Sequence, residues 1–432
     1  MSKSCNLIKS TDLTSCVIIL IIGFLFLNPF PHMTALKEMF FYTAIGLVFL
    51  ATSMRRRSFS FDTPLSPAFA CILLWACVSI LHAVNKPNTI SDIYAHLIKY
   101  YAVYFIIVNY FDSRTRQNAL VWSLIAAIAC FCIWSSLYYY VFLGFPLSAQ
   151  LGVVFKEIPT NIIGIVTVFG ILLCLGKLQE EMTGWLKGAL IAIIIVMTVT
   201  TLLTQTRGAI LAIFVSLLIL SFRHRKMLIF IIVVIVLITV LPVKSRLGPS
   251  AVTEKIRSDD RIRIGYTFIE VVKDFPLQGI GFGLQSYADE AFMKVYHERV
   301  DPNRRTAFIY AAPHNFVVDI LVRLGIIGLA LYLYLLYRAF GMIIVIIKDN
   351  RNDERRGWGF IFFATLVAFL FQGMFENVHS GPPAIVFYVQ LAMITILWNE
   401  ACEALPAPAG NRFDAAGRAT RMHTSFRPDD RA

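Results

Sequence analysis

Apolar residues in this chain run in long blocks broken by short polar joints. A bilayer's hydrocarbon core takes about 20 mainly apolar residues to cross as a helix. Twelve segments approach that: 13–30, 36–53, 67–84, 95–111, 118–143, 161–176, 185–204, 208–222, 227–243, 325–347, 358–375 and 382–398. The run 95–111 contains His96 and Lys99, and 208–222 is short and follows its neighbour closely, so that pair reads as separate spans or as a bent hairpin. The pattern predicts an all-α polytopic membrane protein of about twelve spans. It lapses twice, over 244–313 and after 398. Inside the first lapse, RIRIGYTFIEVVKDF over 261–275 places Ile264, Phe268, Val271, Val272 and Phe275 at helical spacing. Asp259 and Asp260 precede that helix as caps, and Pro276 with the Gly-rich PLQGIGFG ends it.

Composition sharpens this picture. Hydrophobic residues make up 57% of the 432 and charged residues 15%, against about 25% charged in soluble domains. A soluble globule cannot hide so much apolar surface, so a cytosolic enzyme, a disordered chain and a disulfide-stapled secreted domain are excluded. The net charge of +12 reads as topology and not as nucleic-acid binding, because Lys and Arg gather on cytoplasmic loops. With the N-terminus inside, the inner joints carry Arg55, Arg56 and Arg57; Arg114 and Arg116; Lys177 and Lys187; Arg223, Arg225 and Lys226; and Lys348, Arg351, Arg355 and Arg356. The short outer joints carry only Lys37, Lys86, Lys156 and Arg207. Both termini are therefore expected in the cytoplasm, with the first apolar run a retained anchor. The expected organisation is a transmembrane domain over 1–398, a periplasmic loop over 244–313 between spans nine and ten, and an unstructured cytoplasmic tail over 399–432. The loop holds eleven Lys/Arg and nine Asp/Glu, and long loops escape the positive-inside rule. Most cysteines lie in apolar runs and show no Cys-x-x-Cys spacing, and no metal-ligand spacing is present.

Four polar features could carry chemistry. Arg207, in TQTRGAI, is the only formal charge from Gly188 through Phe222. A guanidinium near the membrane is costly, which marks it as functional unless it snorkels to headgroups. Arg261 and Arg263 open the loop helix, where backbone N–H groups and guanidinium forks together suit phosphate; pairing with Asp259 and Asp260 is the plainer alternative. His314 opens the helix HNFVVDILVRLGIIGLALYLY, where the helix field disfavours the imidazolium; it is a candidate general base or simply a cap. Asn315, Arg323 and Lys99 are candidate substrate-binding groups, with snorkelling the alternative for the two cations. GIGFG from Gly279 follows a helix, not a strand, so it is no dinucleotide loop. Glu376 and His379 lie near an outer helix end with no third metal ligand nearby in sequence.

Three of these segments, TRG after a span, Arg-x-Arg followed by PLQGIGFG, and HNFVVDILVRLGIIGL, resemble in order and spacing the O-antigen ligase and O-antigen polymerase superfamily of bacterial inner membranes. The resemblance covers most of 13–398, and its specific part is about 204–340. Counting back from Pro276 favours Arg261 over Arg263 as the loop arginine of that family, whose aromatic residue four positions on is replaced here by Gly265.

The resemblance implies a glycosyltransferase facing the periplasm that takes a glycan from undecaprenyl pyrophosphate, with no metal or nucleotide cofactor. A ligase would pass O-antigen to lipid A core; a polymerase would extend another repeat unit, and a related enzyme would glycosylate protein. Arg207 and Arg261 would stabilise the leaving pyrophosphate, His314 would act as base, and the displacement would invert the anomeric centre. A flippase of lipid-linked sugar is the competing class, and it would use the arginines without the base.

Overall fold

Main-chain polar groups within a membrane can be satisfied only within a helix or a closed barrel, and this chain takes the first route. A computed structural model describes residues 2–55, 57–152, 160–225, 227–240, 260–307, 309, 312–376 and 378–403. Regular structure among them is helical, with no strand. In chain order the helices are α1 (Ser2–Leu27), α2 (Thr34–Ser53), α3 (Ser66–Ser79), α4 (Lys86–Ile93), α5 (Lys99–Tyr110), α6 (Arg114–Ser136), α7 (Thr160–Lys177), α8 (Gly184–Leu203), α9 (Arg207–Ser221) and α10 (Met227–Val240). The loop contributes α11 (Asp260–Asp274) and α12 (Glu290–Arg299), and α13 (Phe316–Lys348), α14 (Asp353–Gly373) and α15 (Gly381–Glu403) complete the bundle. A wide π turn, Tyr94–Ile98, joins α4 to α5, and another, Leu137–Phe142, extends α6.

Among the described residues, each of the twelve apolar segments overlaps a helix. Seven helices are long and apolar enough to cross a membrane: α2, α6 with its π turn, α7, α8, α13, α14 and α15. Leu13–Leu27, α3 and α9 are apolar but shorter. The segment 95–111 lies on the joined α4–α5, and 227–243 on α10, of 14 residues. The chain is a multi-pass membrane protein, and the figure of about twelve spans remains a reading of the sequence. Within the loop the expected helix is present as α11. Asp259, Lys156, Arg56, Lys226, residues 244–259 and most of the tail lie outside the described residues.

The main apolar core runs through the bundle, with α15 packed along α5 and α13, and α14 along α9. A second, smaller core above it gathers Ile264, Phe268 and Val271 of α11, Ile280, Met293 and Tyr296, and Val322 of α13. The described part of the loop is thus a packed layer sharing one helix with the bundle.

That shared helix is broken. Gly325 in α13 has φ 66° and ψ −169°, a conformation that L side chains rarely adopt. The sequence reading of one continuous helix is corrected here: a short segment, Phe316–Leu324, precedes the membrane-length part. Carbonyls released at the break are taken up from outside the helix. Ile280 N–H donates to Val322 at 2.9 Å, Gly281 N–H to Arg323 at 3.0 Å, and the Trp75 indole to Leu324 at 2.9 Å. A Cβ at Gly325 would collide with the Leu277 carbonyl.

The Gly-rich turn is consequently a clasp. After Gly281, four successive amides, Phe282 to Gln285, donate to side chains of Ser79, Thr89, Asp92 and Asn88 at 2.6–3.3 Å. The glycines let its backbone lie against both α4 and α13; Gly281, at φ 112°, would bring a Cβ within 2.5 Å of Ala83. It binds protein on every side and is no phosphate cradle.

Candidate functional site

Arg207 stands at the first position of α9, after the turn Thr204–Thr206. Its neighbours tie this turn to the end of α14. Thr206 Oγ1 donates to Asn161 Oδ1 at 3.4 Å, and Asn161 Nδ2 donates to Glu376. On the other side, a Cβ on Gly208 would lie 3.5 Å from the Phe375 ring. That is ordinary van der Waals contact, so Phe375 packs beside the start of α9.

Arg261, at the start of α11, reaches the same place from the loop. It donates to the Phe375 carbonyl at 3.1 Å and pairs with Glu376 at 2.7 Å. Arg263, two residues on and therefore on another helix face, donates to the Arg305 carbonyl at 3.4 Å instead. In space Arg261 joins the cluster and Arg263 stands away from it.

His314 completes it. Its Nδ1 lies 3.2 Å from Glu376 Oε2. An ionised carboxylate can only accept, so this contact places the imidazole proton on Nδ1 and leaves Nε2 as an acceptor. The sequence reading put His314 at the helix start; in fact Asn315 is the cap and the helix begins at Phe316. His314 precedes the cap in a left-handed conformation, φ 47°. For a non-glycine residue this costs about 1–2 kcal/mol, and such strain persists where the surroundings over-determine it. Here the surroundings are Glu376 on the ring and the doubly bonded Asn315 cap behind it.

Asn315 caps the helix that follows it. Its Oδ1 accepts from Val317 and Val318 N–H at 3.0 and 3.1 Å, and its Nδ2 donates to the Met374 carbonyl at 3.1 Å. It fastens the His314 segment to the chain two residues before Glu376. Arg323 is also elsewhere: fully enclosed, it donates to the Phe282 carbonyl, pairs with Asp319 at 3.1 Å and lies 4.3 Å from the Phe282 ring. Its fork locks the clasp to α13. Lys99 pairs with Glu38 of α2 and lies over the Phe24 and Phe41 rings at 5.5 and 5.2 Å. Asn315 thus supports the Arg261–His314 cluster from behind, while Arg323 and Lys99 are engaged elsewhere and do not meet it.

Sequence reasoning missed Glu376 as the centre of the site. Set aside for want of metal-ligand company, it binds Arg261, His314 and Asn161 at once, with a side chain only 12% exposed. The signal was available: Glu376 is the only Asp or Glu between Glu354 and Glu400. His379, three residues on, lies between the Phe316 and Tyr332 rings at 5.9 and 5.2 Å, and burial pulls its pKa down to about 4. Among the described residues no group of three or more His, Cys, Asp or Glu could hold a metal ion.

The fold and the site thus define a helical membrane protein with arginines and a carboxylate-oriented histidine where a packed loop meets the bundle. Residues 191–333, about a third of the chain, match the family described as O-antigen ligase. That segment contains Arg207, Arg261 and His314, and over it the chain is similar to the O-antigen ligase family, which supports a glycosyltransferase-like function. No curated protein matches the chain.

Proposed function

We propose that the protein transfers a glycan from undecaprenyl pyrophosphate to lipid A core on the periplasmic face of a bacterial inner membrane. The observation that carries this reading is the convergence on Glu376 of Arg261 and His314, beside the turn that presents Arg207. Three separate stretches of chain supply those groups, which is hard to explain as local helix stabilisation.

The chemistry follows from the groups. His314 Nε2 takes the proton of the acceptor hydroxyl as its oxygen attacks the anomeric carbon. The bond from that carbon to the pyrophosphate oxygen breaks, and its electrons leave with the pyrophosphate. Arg207 and Arg261 balance the charge that develops there, the kind of stabilisation that fixed cations supply without reorganisation. Glu376 keeps the imidazole in the reactive tautomer. In-line displacement gives inversion, and neither a metal nor a nucleotide has a role.

The test is reconstitution of the full chain in proteoliposomes with a defined lipid-linked glycan and, separately, lipid A core or free repeat units. Elongated lipid A core is expected. Growth of repeat units would make the enzyme a polymerase, and transmembrane movement of the lipid without transfer would make it a flippase. Both results would overturn the ligase reading.

A further inference from the structure

The turn that presents Arg207 contains a second residue under unfavourable conditions. Gln205 has φ 51°, left-handed for a residue with a side chain. It is 7% exposed. Its Nε2 donates to the Ser148 carbonyl at 3.2 Å, while its Oε1 is buried with no hydrogen-bond partner among the described residues. The orientation of the carboxamide is fixed by chemistry: turning it over would set two oxygens face to face at Ser148.

The turn itself needs neither feature. Its backbone is already held by the Gln150 Nε2 bond to the Thr204 carbonyl at 2.8 Å and by the Leu151 N–H bond to the Leu203 carbonyl at 2.9 Å. A glycine at 205 would relieve the backbone and leave no orphaned acceptor. A strained residue holding an unsatisfied buried oxygen is instead what a binding site looks like before its ligand arrives. Gln205 lies two residues from Arg207, and Thr206 between them bonds to Asn161, the partner of Glu376.

We infer that Gln205 is a sugar-recognition residue: its Oε1 accepts a hydrogen bond from a hydroxyl or acetamido N–H of the sugar adjoining the pyrophosphate. The inference rests on the reading of Arg207 as a pyrophosphate ligand and adds the group next to it. One polar donor on the first sugar then separates a glycan-bearing lipid from the bare lipid that the reaction releases. Product discharge is favoured by the same residue that helps to hold the donor.

Binding of two probes to the detergent-solubilised full chain tests this: undecaprenyl pyrophosphate, and undecaprenyl pyrophosphate carrying one N-acetylhexosamine. Gln205→Gly is expected to melt at or above the wild-type temperature and to bind the bare lipid unchanged. Its affinity for the sugar-bearing lipid should fall about 5–10-fold, the worth of one hydrogen bond. Gln205→Asn, which tolerates the left-handed backbone but is too short to reach, should behave in the same way. Equal loss for both lipids would make Gln205 a tether of the turn, and no loss for either would mean that a water satisfies Oε1; each overturns the inference alone. Failure of the wild-type chain to bind either lipid would instead remove the reading of Arg207, and the inference with it.

Discussion

Replacing Glu376 by Gln tests the centre of the site while changing little else. The side chain keeps its size, and an amide can still accept from one neighbour. It cannot accept from Arg261 and His314 and also lack a proton. The carboxylate now sits 2.7 Å from the Arg261 guanidinium and 3.2 Å from His314 Nδ1. With Gln, an NH₂ facing the ring would draw the acceptor nitrogen to Nδ1 and protonate Nε2, which abolishes the base. Loss of a general base costs about 10²–10⁴ in rate, and mis-setting a histidine tautomer in hydrolase triads costs about 10⁴. An expected fall of about 10²–10³ in kcat corresponds to about 3–4 kcal/mol of transition-state free energy. The stability cost is much smaller, because the Arg261 side chain is 41% exposed and half-exposed pairs contribute about 1 kcal/mol or less. Initial rates in proteoliposomes, with donor varied, separate the two effects: kcat should drop while the KM for donor moves less than about tenfold. The double variant Glu376→Gln/His314→Ala should be no slower than His314→Ala, since the carboxylate acts through the ring. Transfer by Glu376→Gln within about threefold of the parent would refute the role given to the pair.

Arg207→Lys and Arg261→Lys keep charge but lose the planar fork, and each should lower transfer by about tenfold or more, whereas Arg263→Lys should leave it within about twofold. Gly325→Ala should lower the melting temperature of the solubilised protein by several degrees, because φ 66° and the Leu277 carbonyl leave no room for a Cβ; an unchanged melting temperature would show that the break is dispensable. His379 has a folded pKa near 4 against about 6.5 unfolded, so the stability it contributes is complete above about 6.5 and is lost as pH falls towards 4; His379→Phe should flatten the melting temperature over that interval, and an equal slope would refute the assignment. In a cysteine-free background, the exposed Ala288→Cys should label from the periplasmic side and Ser58→Cys only after permeabilisation, the reverse result overturning the orientation.

Arg207, Arg261 and His314 stand out in the sequence because isolated polar groups beside apolar runs are expensive and need a reason. The same rule singled out Arg323, which the structure engages within the protein. Its reason is Asp319, one turn back in DILVR, and an i,i+4 pair is readable without a structure. Glu376 obeyed the rule and was passed over, because only metal binding was asked of it. Lys99 could not have been placed, since its partner Glu38 lies 61 residues away on another helix. The break at Gly325 was also hidden: glycine within a membrane helix is unremarkable, and only the backbone of Pro276–Gly283 lying across it shows why this one is left-handed.

The clasp sets the order in which the molecule can be completed. Its acceptors include Ser79, Asn88, Thr89 and Asp92, its amides come from Phe282–Gln285, and its far wall is Val322–Leu324. The acceptors emerge from the ribosome about 200 residues before the amides they bind. Until then four polar side chains near the end of an apolar hairpin must be kept wet or chaperoned by the insertion machinery. The site waits longer still, because Glu376 follows almost everything it organises. An interrupted chain would therefore be inserted but inert, and transfer activity would begin only once the last hairpin had been threaded and closed.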